Sequence, residues 1–278
     1  MYFMNARVFL RPLIAITILF STLTACTTVE IKETNFFMPR QIMSSGERLE
    51  VRSQDGVLLV GRLLRSDRPR GTIVFFNGNA DLTLLSGKRL SRLADFGFNV
   101  VAVDYRGFGE SGGTLTLKNL QSDSVAIYQT VANRDDLGPK RIMAYGWSLG
   151  SFAATYMATH EAVDGLVLEG AQTNVQEVLG AWTPWYVKPF VRFNIDPGLA
   201  AADNPAELKK YSGPLLIISG QQDNIAPPAF SEHLYTASAS STKKWVNINA
   251  NHKNINDGPE FTLAFEAFST LVFGERQH

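Results

Sequence analysis

The chain has 278 residues, of which 45% are apolar and 19% charged, a composition typical of one large α/β domain or two small ones. Its 26 basic and 26 acidic side chains balance, so no excess of positive charge indicates a nucleic-acid-binding protein. The single cysteine, Cys26, excludes an intramolecular disulfide, and no group of Cys and His residues has zinc-site spacing.

The first 26 residues have the pattern of an export signal. Two arginines precede an apolar run, 12–20, that is short for a bilayer-spanning helix, and small residues follow it. The segment LTAC (23–26) resembles the bacterial lipobox, whose cysteine is acylated after the preceding peptide is cleaved off. This resemblance implies a signal peptide over 1–25, a lipid anchor on Cys26 and a location in the bacterial cell envelope.

Two alternatives for this segment are an uncleaved membrane anchor and a buried N-terminal helix. Both leave unexplained why the only cysteine stands at the end of the apolar run. Thr27 is not the aspartate that typically retains such lipoproteins at the inner membrane, which favours the outer membrane in a Gram-negative cell. Residues 26–45 lack clear periodicity and are predicted to form a tether to a domain over 46–278.

The domain begins with a predicted β-hairpin. Its strands, 48–53 and 57–65, flank Asp55-Gly56, a pair that tolerates the positive φ of a tight turn. The apolar run TIVFF (72–76) predicts a strand that is buried on both faces.

Strands and helices then alternate along the rest of the chain. The strands are predicted over 99–105, 140–147, 164–170, 214–220 and 244–249, and the helices over about 83–96, 117–133, 149–160, 228–238 and 259–273. This alternation predicts an α/β fold in which helices cover both faces of a mostly parallel sheet. Only 171–212 is irregular, and it is too short to be a second domain.

The pentapeptide GWSLG (146–150) lies between a predicted strand and a predicted helix. In this context the pattern G-x-S-x-G indicates a strained strand-to-helix turn that exposes the hydroxyl of Ser148 as a nucleophile. A serine hydroxyl needs a neighbouring base at neutral pH. Of the four histidines, only His252 lies in a loop that directly follows a strand; the others are His160, His233 and His278.

A third group should orient the imidazole of His252 and stabilise its cation. Asp223 follows the strand 214–220 and is predicted to reach the same edge of the sheet as His252, with Glu169 as the alternative acid. The chain order is then Ser148, Asp223, His252.

Three further stretches resemble motifs of the α/β-hydrolase superfamily. FFNGNA (75–80) is similar to its His-Gly-Asn-Ala loop, the stretch 104–113 to its Asp-Tyr-Arg-Gly-x-Gly-x-Ser segment, and 220–227 to its acid loop. With the serine motif, these matches extend over about 72–256. The resemblance implies the α/β-hydrolase fold, with a short insert over 171–212 in place of a full cap domain.

The resemblance also implies an oxyanion hole. One donor is the backbone N–H of Leu149, and the other comes from Asn79 or its neighbour Ala80. Asn77 departs from the family pattern, which has a histidine there, but its amide can also donate and accept hydrogen bonds. The loop 104–113 is assigned to packing beside the site, without a catalytic role.

The predicted function is a serine hydrolase that cleaves a carboxylic ester or a thioester through an acyl-enzyme. The short insert resembles the group with little or no lid, which includes acyl-protein thioesterase-like and serine-aminopeptidase-like members. Five aromatic side chains of the insert either line an acyl pocket or pack the insert onto the domain: Trp182, Trp185, Tyr186, Phe190 and Phe193.

Two alternatives stay open. One is a peptidase or amidase of the same fold, for which Glu169 is the candidate anchor of a free amino terminus. The other is a catalytically silent surface lipoprotein that uses the fold as a binding scaffold. The expected partners are an acyl or small-molecule substrate and, through Cys26, a membrane; no nucleic acid, metal or organic cofactor is implied.

Overall fold

The computed structural model describes residues 27–37, 46–79 and 83–275, without the side chains of Asn35 and 83–86. The predicted signal peptide, the lipidation site Cys26 and the alternative oxyanion residue Ala80 lie outside these residues. Within the described ranges no helix has the length and apolarity needed to cross a membrane.

The described residues contain ten strands, eight of which form one sheet. They are β1 (Thr27–Ile31), β2 (Glu47–Arg52), β3 (Leu58–Leu64), β4 (Thr72–Phe76), β5 (Asn99–Val103), β6 (Ile142–Trp147), β7 (Gly165–Glu169), β8 (Val191–Ile195), β9 (Leu215–Gly220) and β10 (Lys243–Ile248). The large sheet has the order β10-β9-β7-β6-β4-β5-β3-β2. Pairing is parallel from β10 to β5 and antiparallel for β5 with β3 and β3 with β2, so the predicted hairpin and mostly parallel sheet are confirmed.

Helices cover both faces of this sheet, as predicted. In the described part of the chain they are α1 (Glu33–Phe36), α2 (Thr83–Asp95), α3 (Leu117–Ala132), α4 (Gly150–His160), α5 (Val175–Trp182), α6 (Pro197–Ala200), α7 (Asn204–Leu208), α8 (Pro228–Ala237) and α9 (Pro259–Phe273). Apolar side chains of α2 and α9 form the core on one face. Those of α3, α4 and α8 form the core on the other. Every residue of β4, β5 and β6 is buried, which explains their continuous apolar sequences.

Residues 27–37 form part of the folded domain, so the prediction of a tether is wrong for them. Strand β1 pairs in parallel with β8 of the insert, in the register Thr27 with Val191. Phe37 is buried in the core, and a side-chain oxygen of Glu33 accepts a hydrogen bond from the backbone N–H of Leu117 at 2.9 Å. The alternation of β1 is only five residues long, and its partner lies far along the chain, so no local pattern indicated the pairing.

The glycine-rich loop 106–113 is fixed by two ion pairs, of which the one with Asp123 is buried. The guanidinium of Arg106 contacts Asp123 at 2.8 Å and Asp55 at 2.6 Å. The hydroxyl of Ser111 donates to the carbonyl of Asp104 at 2.8 Å and accepts from the N–H of Val60 at the same distance. The loop therefore anchors the β2–β3 hairpin to the body of the sheet.

Asp104, which follows β5, should make the stability of the protein depend on pH. Burial raises the pKa of its carboxyl to about 7 from a usual value of 3.8. The unfolded chain ionises this group above about pH 4, whereas the folded chain resists ionisation until about pH 7, so stability falls as pH rises through this window. Asp104→Asn removes the ionisation, and we expect it to raise the unfolding free energy at pH 8 by on the order of 2 kcal/mol, with less than half of that gain at pH 5.

Urea unfolding at the two pH values measures this effect. Asp135→Asn, at a side chain that is 97% exposed, is the matched control and should change stability little at either pH. An equal gain for Asp104→Asn at pH 5 and pH 8 would contradict the assignment, because it would not depend on ionisation.

Candidate active site

The residues predicted to carry the chemistry follow strands that end at one edge of the sheet. Asn79 comes after β4, Ser148 directly after β6, Asp223 after β9 and His252 after β10. Because these four strands are parallel, their carboxyl ends meet at the same edge, where α/β proteins commonly bind ligands.

Ser148 occupies a strained turn between β6 and α4. Its φ is 54°, and it is the one non-glycine residue with positive φ in the described chain. A β-carbon on Gly146 would lie 2.6 Å from the carbonyl oxygen of Gly150, and one on Gly150 would overlap the carbonyl of Phe76. Both glycines of GWSLG are therefore required by the close approach of neighbouring backbone, which gives the turn its shape.

Gly150→Ala should consequently destabilise the fold. The added methyl group meets backbone atoms of β4, which cannot move without shifting the sheet, and we expect a loss of about 3 kcal/mol. Gly180→Ala is the control, because a β-carbon there meets nothing within 4 Å; in a helix this change should preserve or slightly raise stability. Urea unfolding compares the two variants, and equal midpoints would contradict the packing argument.

The structure brings Ser148, His252 and Asp223 into one hydrogen-bonded chain. His252 Nε2 lies 2.9 Å from Ser148 Oγ, and its Nδ1 lies 2.6 Å from Asp223 Oδ2. All three residues are less than 10% exposed. The other oxygen, Oδ1, accepts hydrogen bonds from the N–H groups of Ile225 and Ala226, both at 2.8 Å. The carboxyl group is thus held in a fixed orientation toward the imidazole.

Glu169, the alternative acid, makes different contacts. Its side chain is fully buried, accepts a hydrogen bond from the hydroxyl of Tyr145 at 2.5 Å and contacts Arg89 at 3.1 Å. Burial raises the pKa of the Glu169 carboxyl, and the charge of Arg89 opposes that rise. These contacts occupy the carboxyl inside the core, which contradicts its suggested role as an anchor for a free amino terminus.

The Arg89 side chain was not predicted as part of the site. Its guanidinium lies 4.1 Å from the ring centre of Trp147, and that ring lies 5.8 Å from the ring of His252. Arg89 is 2% exposed. It therefore supports Trp147, the residue before Ser148, from inside the protein, and nothing in the helical pattern of 83–95 distinguished it from a surface arginine.

The loop after β4 lies beside the serine. A β-carbon on Gly78 would lie 3.4 Å from the β-carbon of Ser148. The hydroxyl of Tyr105 donates to the carbonyl of Asn77 at 2.6 Å, and the side-chain amide of Asn79 donates to the carbonyl of Phe36 at 2.6 Å. Two long-range contacts thus fix this loop, and the one from Phe36 had no sequence signal.

The predicted oxyanion donor Leu149 stands at the start of α4. It is buried, has helical φ and ψ and precedes the first residue of the helix. An N–H group at the very start of a helix has no acceptor within the helix, so it is available for a negatively charged group. Further along the turn, the N–H groups of Ser151 and Phe152 already donate to the carbonyls of Ser148 and Leu149. Leu149 thus directly follows Ser148 in the chain, and Gly78, the residue before Asn79, lies beside Ser148.

The five aromatic residues of the insert do not share one environment: as a group they neither line an acyl pocket nor pack the insert onto the domain. Phe193 packs against the core, and the indole N–H of Trp182 donates to the carbonyl of Ile225, two residues beyond Asp223. Trp185, Tyr186 and Phe190 are 81%, 62% and 64% exposed, so they do not pack the insert onto the domain.

The two other histidines among the described residues lie away from Ser148. His160 stacks on Tyr156 at the end of α4, His233 lies 3.2 Å from Glu177, and His278 falls outside the described residues. Across the described ranges, no group of three His, Cys, Asp or Glu side chains is arranged to hold a metal ion.

Comparisons with known proteins point to hydrolases. A family model described as serine aminopeptidase, S33, matches residues 67–197. An uncharacterised protein of Mycobacterium tuberculosis is 28% identical over 243 residues, which are 84% of this chain and 83% of that protein. The lysophosphatidylserine lipase of Danio rerio is 29% identical over 165 residues, 54% of this chain and 42% of the lipase. A solved structure of a Pyrococcus furiosus esterase superposes with a TM-score of 0.71 at 18% identity, covering 86% of this chain and 100% of the esterase chain.

Proposed function

Because the chain belongs to the α/β-hydrolase superfamily, we propose that it is a serine hydrolase that cleaves a carboxylic ester or a thioester through an acyl-enzyme. The proposed nucleophile is Ser148, the base His252 and the orienting acid Asp223. The observation that carries the proposal is the continuous hydrogen-bonded chain from Ser148 Oγ through the imidazole to Asp223, both contacts being within 3 Å.

The chemistry follows from which atoms can donate and accept. An ionised carboxylate only accepts, so Asp223 keeps the proton of His252 on Nδ1 and leaves Nε2 to accept the hydroxyl proton of Ser148. Ser148 Oγ then attacks the carbonyl carbon, and the N–H groups of Leu149 and Asn79 stabilise the oxyanion.

Three proton transfers complete the cycle. The imidazolium of His252 protonates the departing alcohol or thiol, which leaves an acyl group on Ser148 Oγ. A water molecule, deprotonated by the same Nε2, attacks the acyl-enzyme, and the serine leaves with that proton.

Esters and thioesters are favoured over peptides by two observations. Relatives named as a lipase and an esterase resemble this chain over much of its length. In addition, Glu169, the candidate anchor for a free amino terminus, is engaged by Arg89 and Tyr145 in the core. The family model described as an aminopeptidase is the argument for the alternative.

An activity screen tests the proposal. The purified protein is assayed with p-nitrophenyl esters, acyl thioesters and aminoacyl p-nitroanilides of matched acyl length. We expect turnover of esters or thioesters at least about 100-fold faster than that of the anilides. Faster anilide turnover would favour the peptidase, and no turnover of any class would favour the binding scaffold.

The proposed location is the bacterial cell envelope, with a lipid anchor on Cys26. The LTAC segment supports it, and combined acyl chains, at about 0.8 kcal/mol per buried methylene, give stable anchoring. Growth with an alkyne fatty acid should label the wild-type chain, and Cys26→Ser should remove the label. Equal labelling of the two proteins would contradict lipidation at this cysteine.

A further inference from the structure

The insert carries a compact group of exposed aromatic side chains. We name Trp182, Trp185, Tyr186 and Phe190 the aromatic patch. Of the six large hydrophobic side chains that are exposed in the described ranges, four belong to this nine-residue stretch. A cluster of exposed aromatic rings on one segment is a feature of interaction surfaces rather than of an ordinary solvated surface.

The patch ends beside the predicted attachment point of the lipid anchor. Phe190 directly precedes β8, Cys26 directly precedes β1, and the two strands pair with Thr27 opposite Val191. Successive Cα atoms are 3.8 Å apart, and paired strands about 4.8 Å apart, so the Cα atoms of Phe190 and Thr27, the residue bonded to Cys26, lie within about 9 Å of each other. A lipid on Cys26 must therefore enter a bilayer close to the aromatic patch.

The charge of the segment suits an anionic lipid surface. Residues 181–195 contain no Asp or Glu, and both their charged residues are basic. These residues, Lys188 and Arg192, are exposed. Trp and Tyr together with Lys and Arg are the residues enriched at the interface between bilayer and water, and basic groups there attract anionic headgroups.

The patch is also connected to both sides of the candidate active site. Trp182 donates its indole N–H to Ile225, whose own N–H binds the carboxyl group of Asp223. Along the chain from β1, the carbonyl of Phe36 accepts a hydrogen bond from Asn79 in the loop beside Ser148. The insert and the segment that follows β1 are therefore each hydrogen-bonded to a loop that borders the site.

We propose that the aromatic patch lies on the membrane surface next to the lipid on Cys26, and that Ser148 takes long-chain acyl esters of membrane lipids directly from that bilayer. This inference rests on the proposed hydrolase function and adds to it the substrate class and the orientation of the domain. A second copy of this chain or a partner protein on the patch are the competing outcomes of the test.

Docking is tested without any activity measurement. The full lipidated protein is reconstituted in vesicles of phosphatidylcholine and phosphatidylglycerol whose acyl chains carry bromine, which quenches tryptophan fluorescence on contact. We expect quenching in the wild type and at least about threefold less in Trp185→Phe, whereas Trp245→Phe, at a side chain of the edge strand β10 that packs against the core, should retain it. Equal quenching in wild type and Trp185→Phe, or a dimer in the vesicles that shields Trp185, would overturn the docking.

The substrate class is tested with a triple variant, Trp185→Ser, Tyr186→Ser and Phe190→Ser. Its control is Leu263→Ser with Leu271→Ser, two exposed apolar side chains of α9. With a long-chain lysophospholipid in the same vesicles, the triple variant should be at least about tenfold slower than wild type, and with p-nitrophenyl acetate in solution within about twofold. Equal rates on the vesicle substrate, or a parallel loss on both substrates, would overturn the inference. A wild type inactive on both substrates would refute the hydrolase function while leaving the quenching result intact.

Discussion

Ser148→Ala is expected to lower kcat/KM for ester substrates by about 10⁴- to 10⁶-fold while leaving the fold intact. The hydroxyl that it removes is the only group of the turn that lies within hydrogen-bond distance of His252 Nε2. The residual rate would come from the oxyanion donors and from substrate binding, which the change leaves in place. Rates with p-nitrophenyl esters and covalent labelling by a fluorophosphonate probe measure the loss.

Ser122→Ala provides the matched control for this change. Ser122 lies on α3, and its hydroxyl donates only to the backbone carbonyl of Asn119. The control should retain wild-type rates and labelling. If Ser148→Ala hydrolysed esters as fast as the wild type, the proposed nucleophile would be ruled out.

Asp223→Asn is expected to cost about 10⁴-fold in kcat, because it forces the imidazole into the wrong tautomer. The N–H groups of Ile225 and Ala226 require an acceptor, so they hold the amide oxygen of the new asparagine. Its NH₂ group then points at His252 Nδ1, which must accept. The proton moves to Nε2, which can no longer accept the proton of Ser148.

Glu169→Gln is the comparison that separates the two candidate acids. It leaves Arg89 without its buried counter-charge, and we expect a loss of about 3 kcal/mol in stability, with kcat of the folded protein changed less than about tenfold. Steady-state kinetics measures kcat, and urea unfolding measures the stability, of both Asp223→Asn and Glu169→Gln. A large loss of kcat in Glu169→Gln with little loss in Asp223→Asn would make Glu169 the orienting acid.

The elements of the large sheet could be predicted because each carries its own local signal. The apolar run at 72–76 forms β4 with the same bounds. A strand that is buried on both faces is a continuous buried segment, so its sequence pattern marks where it begins and ends. The fold then brought Ser148, Asp223 and His252 together in the expected contacts, because parallel topology forces residues after strand ends to one edge.

What could not be predicted depends on contacts between distant parts of the chain. The pairing of β1 with β8 joins segments more than 160 residues apart and leaves only a brief alternation in sequence. Nothing in the sequence links Arg89 with Glu169, because the two side chains meet only when helix α2 packs on the sheet. The exposure of Trp185 runs against the ordinary expectation that large aromatic side chains are buried.

The left-handed backbone at Ser148 favours a glycine, whereas the proposed chemistry requires a serine at the same position. At φ 54° the conformational free energy of a serine is about 1 kcal/mol less favourable than that of a glycine, but glycine has no hydroxyl group. Random substitution followed by selection for thermostability alone should therefore favour loss of the reactive group at this codon. Only selection for hydrolytic activity would retain Ser148.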